Sequence, residues 1–438
     1  MIRIAAKLSR TSYSTAFVVP TATQLSSISC TRFFNCAPSS FNLYNNALEL
    51  DKNMANPDVI NMMNYAMKQA RSDKSVGSYG LGMLVLKHCL TTELTIGNDP
   101  KTENSKGIAL LALSTLLCER GEYDEAIEKL QSVQDLTNSH LGIRVAAFEA
   151  QVGLHLELGQ DAMASAMAEK CVELMEKQET GENDGLIIHA KALKGLIELV
   201  NGDIKSAKAS FDKSLHDVVH HGSIALLYGE FLQITEDYSL AREVYQNVIQ
   251  GASDIKNNGN SLYLGAGNMN LEGLMVGAMC ALGQLESHLG KFGNAEDWLT
   301  KALNTAEQTY GTTHPKVGVV LTSIALMYRR KAIEERSSSL LIQEGLYRKV
   351  IDILKVPAVE TESEGAAPSV DRSDIAALAR GAYAEVLCVQ ENRKDEGQKI
   401  KNLAESIWKN RRMSLADALG NTESNLSTVI DARISRLL

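Results

Sequence analysis

The sequence predicts an all-α protein built as a stack of antiparallel helix pairs. Aromatic residues are only 5% of the chain and there are 7 prolines, while hydrophobic residues make up 45% and charged residues 22%. That balance suits helices packed through Ala and Leu in a soluble folded protein. One pattern also recurs along the chain: an apolar helical segment, a Gly or polar turn, then Ala and larger apolar residues at helical spacing. A length of 438 residues allows either two or three ordinary domains or one long array. The recurrence favours the array.

Four segments carry the pattern most clearly. Residues 110–133 turn at Gly121 and then place Tyr123, Ala126, Leu130 and Val133. Residues 190–215 turn at Gly202 and follow with Ile204, Ala207 and Phe211. Residues 224–249 carry Gly229 in the first helix and Tyr238, Ala241, Tyr245 and Val248 in the second. Residues 278–303 offer Gly283, Gly290, Phe292, Ala295, Leu299 and Ala302. The chain therefore resembles the tetratricopeptide repeat superfamily, whose period of about 34 residues separates Ala207 from Ala241. The resemblance implies a right-handed superhelical solenoid. It also implies that small residues of the two helices meet at their crossing, and that the large residue four after the second-helix Ala packs into the next repeat. Other spacings are longer than the period, and the excess reads as loops and extended helix ends, notably the Gly/Asn-rich stretch 250–268.

Weaker units fill the rest. Residues 146–174 turn at Gly159 and place Ala164, Ala168 and Cys171. Residues 314–354 read as a helix pair with an enlarged turn. Residues 295–331 resemble the kinesin-light-chain type of repeat through Gly311, His314, Pro315, Leu321, Ala325 and Tyr328. Thr322 and Ser323 stand where that type carries paired Asn, so its peptide preference does not transfer. The predicted organisation is then a presequence and disordered lead over 1–48, capping helices over 57–104 and repeats over 105–354. A Pro/Ser/Glu-rich flexible loop follows over 355–373, then a last helix pair and tail over 374–438.

The N-terminus carries a targeting signal by composition. Arg3, Lys7, Arg10 and Arg32 precede Glu49, the first acid of the chain. On a helical wheel Arg3, Lys7 and Arg10 fall within about 60°, with Met1, Ile4, Ala5 and Leu8 on the other side. A basic amphipathic helix in an acid-free leader is the pattern of a mitochondrial presequence, and Arg32-Phe33-Phe34-Asn35 resembles a processing site with cleavage after Phe34. A chloroplast transit peptide is the alternative, and an untargeted cytosolic tail the other. Beyond the leader the chain is acidic, with a net charge of −9 for the whole, which argues against general binding to phosphate backbones. No apolar run is long enough to span a membrane. The seven cysteines form no CxxC pair, so buried free thiols are expected.

Chemical motifs are sparse. His216-Asp217-Val218-Val219-His220-His221 resembles the zinc-protease HExxH. The Asp is a methylene too short to serve as the general base, and no third ligand follows. His216 and His220 fall on the helix face away from Ala207 and Phe211, as solvent-facing residues would. His314-Pro315 reads as a repeat-to-repeat turn in which Pro opens the next helix. YGLGML at 79–84 and LGAGNMN at 264–270 contain GxG without completing a dinucleotide fingerprint, and no phosphate loop or nucleophile elbow occurs. The sequence thus predicts no catalytic residue, metal or cofactor.

A solenoid of helix pairs presents a concave groove lined by its first helices. Counted along the repeat, the groove positions are Glu230, Gln233, Gln284, Ser287, Thr322 and Arg329. The Lys/Asn/Arg clamp of chaperone-binding relatives is missing, since Ala192 and Leu196 occupy its first two positions in the 190–215 unit. The favoured function is a non-enzymatic scaffold holding a protein partner in the groove, for assembly or stability of a mitochondrial complex. An organellar RNA-binding repeat protein and a zinc hydrolase centred on His216 and His220 are the alternatives.

Overall fold

The computed structural model describes residues 48–92, 99–177, 184–211, 222–257, 261–336, 340–354, 373–420 and 427–438. All lie in the compact unit 46–438. The leader 1–47, the histidines His216 and His220 and most of the 355–373 loop lie outside the described residues.

Helices follow in pairs. They are α1 (Pro57–Ala70) and α2 (Val76–Thr92), α3 (Pro100–Glu119) and α4 (Tyr123–Gln134), α5 (Leu141–Glu157) and α6 (Asp161–Glu176), and α7 (Asp184–Val200) and α8 (Ile204–Ser210). The series continues with α9 (Gly222–Ile234) and α10 (Tyr238–Asn257), α11 (Leu271–His288) and α12 (Phe292–Tyr310), α13 (Pro315–Glu334) and α14 (Leu340–Ile353), and α15 (Ser373–Cys388) and α16 (Lys394–Ile407). A single turn, α17 (Leu415–Ala418), comes last. Each first helix packs on the first helix of the next pair, from α1 on α3 to α13 on α15. That continuity of neighbours is what makes the stack a solenoid.

The sequence signals explain the joints. Gly121, Gly159, Gly202 and Gly290 all sit at positive φ, ending the first helix of each pair with the left-handed residue that closes its last carbonyls. In the α9–α10 pair Glu236 takes this role at φ 68, a conformation that a Cβ disfavours. His314 caps α13: its Nδ1 accepts from the Lys316 amide at 3.2 Å, and Pro315 opens the helix. Ala126, Ala164, Ala207, Ala241 and Ala295 are all fully buried.

The crossing itself differs from the expectation. A Cβ placed on Gly195, Gly229 or Gly283 would lie 2.5–2.6 Å from Phe211, Tyr245 or Leu299. The large residue four after each Ala therefore lies over the glycine of its own repeat, not only against the next. The glycine makes room for a ring or a Leu side chain rather than for a second small residue. Phe211 does both, since its ring also stacks at 5.0 Å on Phe231 of the following pair.

Two segments read from sequence as loop and tail line the inside of the solenoid instead. Residues β2 (Ser261–Tyr263) pair antiparallel with β1 (Glu49–Asp51), tying the start of the described chain to the long α10–α11 connection. A 3₁₀ turn at Gly267–Met269 then enters between α3 and α5. The Gly267 amide donates to Thr115 Oγ1 at 3.0 Å, and Asn268 donates to Glu157 Oε2 at 3.0 Å. Gly153 leaves the space for Asn268 and Met269. Nearby, Arg71 at the C-terminal end of α1 joins Glu119 of α3 to Glu272 of α11, at 2.5 Å and 2.9 Å. The second inner segment is the C-terminal one. Its strands β3 (Ile430–Asp431) and β4 (Arg436–Leu437) form a small antiparallel hairpin, and nearly every residue from Ser427 to Leu438 is buried.

Candidate interaction groove

The C-terminal hairpin lies along the first helices of the repeats, where a solenoid presents its concave side. Gln284 of α11 holds its main chain from both ends. The Ile430 amide donates to Gln284 Oε1 at 2.8 Å, and Gln284 Nε2 donates to the Ile430 carbonyl at 3.0 Å. On the first helix of the preceding pair, Gln233 of α9 donates to Ser427 Oγ at 3.1 Å. The Arg412 guanidinium, in the stretch between α16 and α17, donates to the carbonyls of Leu438 and Ser427 at 2.9 Å and 2.7 Å.

Arg433 forms the hairpin's tip and is fully buried. Its guanidinium meets Glu230 Oε2 of α9 at 2.9 Å and the hairpin's own Asp431 at 2.7 Å. Gly277 of α11 gives its stem room, since a Cβ there would lie 3.2 Å from Arg433 Cγ. Burial first, and Asp431 second, hold the Glu230 carboxyl well above the usual carboxylate range, with Arg433 opposing. Two acids thus share one arginine in a dry place, where an unpaired charge is costly. Lys316 of α13 donates to the Arg433 carbonyl and to Ser435 Oγ, and pairs with Glu157 of α5 at 3.0 Å. Arg436 reaches Asp161 of α6 at 3.0 Å, Asp374 of α15 at 3.3 Å and the Leu156 carbonyl at 3.1 Å. The hairpin therefore fastens helices of five different pairs together.

Three of the groove positions predicted from sequence, Glu230, Gln233 and Gln284, are engaged by this segment of the same chain. Thr322 is fully buried and donates back to the Gly318 carbonyl at 2.9 Å, a helix-internal bond that leaves the hydroxyl no donor for a ligand. Ser287 and Arg329 line a cleft of about 240 Å³ beside the hairpin, together with Gln284, His288, Leu419 and Thr428. Arg329 is bridged to Glu385 at 2.7 Å and donates to the Leu419 carbonyl. The register count missed Glu157, Asp161, Lys316 and Asp374, because these lie at helix ends that the repeat consensus leaves unspecified. Their ligand was the available signal. Residues 427–438 alternate β-branched and apolar residues with two arginines, a pattern suited to a buried strand pair.

Glu149 and His189 approach to 3.4 Å, both buried, but no group of three His, Cys, Asp or Glu side chains among the described residues is placed to hold a metal ion. Cys89, Cys118, Cys171 and Cys280 are buried, and burial pushes the Cys280 thiol up to about 11. Among the described residues, no helix is long and apolar enough to cross a membrane.

Helix pairs with this turn and crossing form an all-α helical-repeat fold. Residues 276–316 match the Tetratricopeptide repeat family model, and that match includes the kinesin-light-chain-type turn at Gly311–Pro315. No curated protein matches the chain. Among solved structures, BtubC (BKLC) from P. vanneervenii is similar at 14% identity and TM-score 0.39, over 56% of this chain and 89% of that one. A STAND protein with a tetratricopeptide repeat sensor, PH0952 from Pyrococcus horikoshii, is similar at 14% identity and TM-score 0.36, over 86% of this chain and 55% of that one. The TPR domain of P58(IPK) is similar at 13% identity and TM-score 0.20, over 86% and 95%.

Proposed function

We propose that this protein is a non-enzymatic interaction scaffold of mitochondria that helps assemble or stabilise a protein complex. The observation that carries the reading is the grip of Gln284 on both backbone groups of Ile430. A side-chain amide that closes on a main-chain amide and carbonyl binds polypeptide as such, whatever its side chains. The acidic repeat body supports protein partners over nucleic acid. The acid-free leader with Arg3, Lys7 and Arg10 supports mitochondrial import.

Tagged co-purification from fractionated organelles tests it, with mass spectrometry of what is retained. The expected result is a chain in mitochondria, beginning after Phe34, with a stable set of subunits from one complex. Recovery from plastids or cytosol would overturn the targeting. Recovery from mitochondria with no partner above background would overturn the scaffold.

A further inference from the structure

The hairpin in the groove is held as a ligand would be, through its main chain and its arginine, while Val429, Ile434 and Leu438 pack into the core. Its main chain is held by side chains of the repeats, and its arginine enters a site walled by acids. With residues 427–438 lifted out, the repeat helices would present Glu157, Asp161, Glu230 and Asp374 together with Lys316, while Arg412 faces the same segment from outside the repeat helices. A groove of that charge selects a basic segment, and above all arginine, whose planar fork pairs with carboxylates in two directions.

The fit of the resident hairpin is incomplete. Glu230 Oε1 and Arg433 Nη1 are buried without a hydrogen-bond partner among the described residues. The hairpin also brings its own Asp431 beside Glu230, and their repulsion adds to burial in disfavouring the Glu230 carboxylate. Buried groups in this state leave unrealised hydrogen-bond energy. A better-matched segment from elsewhere can recover it, provided that it overcomes the advantage a tethered segment gains from its high effective concentration.

We propose that the groove is the binding site for an extended, arginine-bearing segment of a partner protein, and that residues 427–438 are its resident competitor. This deepens the scaffold reading and rests on it. The partner's arginine takes the place of Arg433 between Glu230 and the space that Gly277 leaves. Its main chain takes the Gln284 clasp.

The test uses the full chain, folded before it is altered. A specific protease site is inserted after Gly420, the folded protein is cut, and a fluorescent peptide of residues 427–438 is added while anisotropy is followed. The expected result is uptake of the peptide by the cut protein and far less by the uncut one. An Arg433→Ala peptide should bind at least about a hundredfold more weakly, because it leaves a buried carboxylate unpaired. A cut protein that keeps its helicity and melting temperature but exchanges no peptide over days would overturn the proposal. So would equal uptake of the Arg433→Ala peptide, or loss of fold on cutting that added peptide does not restore, since the hairpin would then be core. None of these results touches co-purification by the uncut chain, so the scaffold reading stands or falls separately.

Discussion

Gly283 and Leu299 meet at a contact that admits no extra atom: a Cβ on the glycine would lie 2.6 Å from Leu299 Cγ. Gly283→Val should therefore destabilise the protein by about 1–3 kcal/mol, read as a lower urea midpoint at unchanged slope. Backbone strain gives a second residue-level test, with opposite signs at equivalent turns. Gly202 lies at φ 78 and Glu236 at φ 68. Gly202→Ala should cost about 1–2 kcal/mol, whereas Glu236→Gly should gain up to about 1 kcal/mol because the left-handed penalty exceeds the entropy that glycine adds to the unfolded chain. Thermal unfolding of the two variants against the parent checks the pair. His288 supplies a pH test. Burial, and then the Arg330 charge, push its imidazole down to about 4. Arg330 donates to Nδ1 at 3.0 Å, so the ring must be neutral there. The unfolded chain takes up a proton near pH 6.5 that the folded chain refuses until about pH 4. The stability present above pH 6.5 is thus lost as pH falls through that window, by on the order of 2 kcal/mol for a half-buried ring. His288→Asn should flatten the loss, and an unchanged pH profile of the urea midpoint would refute the assignment.

Among the elements, the C-terminal hairpin takes one of its anchors from Lys316. Lys316 joins Glu157, the Arg433 carbonyl and Ser435 in a site that is almost dry. Lys316→Ala leaves Glu157 without its cation and should cost about 3–5 kcal/mol. The same variant should raise hydrogen exchange at 427–438 more than in α5 or α13, because the hairpin loses an anchor while the helices keep their packing. Uniform exchange across all three would mean that Lys316 supports the helices instead. Helices and turns were legible because each announces itself locally. Gly121, Gly159, Gly202 and Gly290 end helices by conformation, and Pro315 starts one by lacking an N–H. Gln233, Glu230 and Gln284 could be singled out because they recur at fixed register, and the structure sets all three against the C-terminal hairpin. The long α10–α11 connection was legible only as an irregular stretch, since its pairing with β1 joins residues some two hundred positions apart, and no local signal spans that distance.

At the scale of the whole molecule, the two inner segments turn an open coil into a filled one. A plain solenoid is held only between neighbouring repeats. Here Arg436 alone links α5, α6 and α15, and Arg71 links α1, α3 and α11. Amides of 261–269 should then exchange as slowly as those of the central helices, since they open only with the stack, while those of 427–438 should exchange faster because the hairpin can leave without unfolding the helices. Fast exchange at 261–269 in the intact protein would show that this segment is not a strut. The sequence by itself determined the repeat, its helix pairs and its turns, because these depend on side-chain size and backbone conformation over distances of one repeat or less. Only the tertiary structure decided what fills the groove. Whether Glu230 meets a partner or Arg433 depends on where a segment two hundred residues away comes to rest, and that is set by charge and burial across the fold.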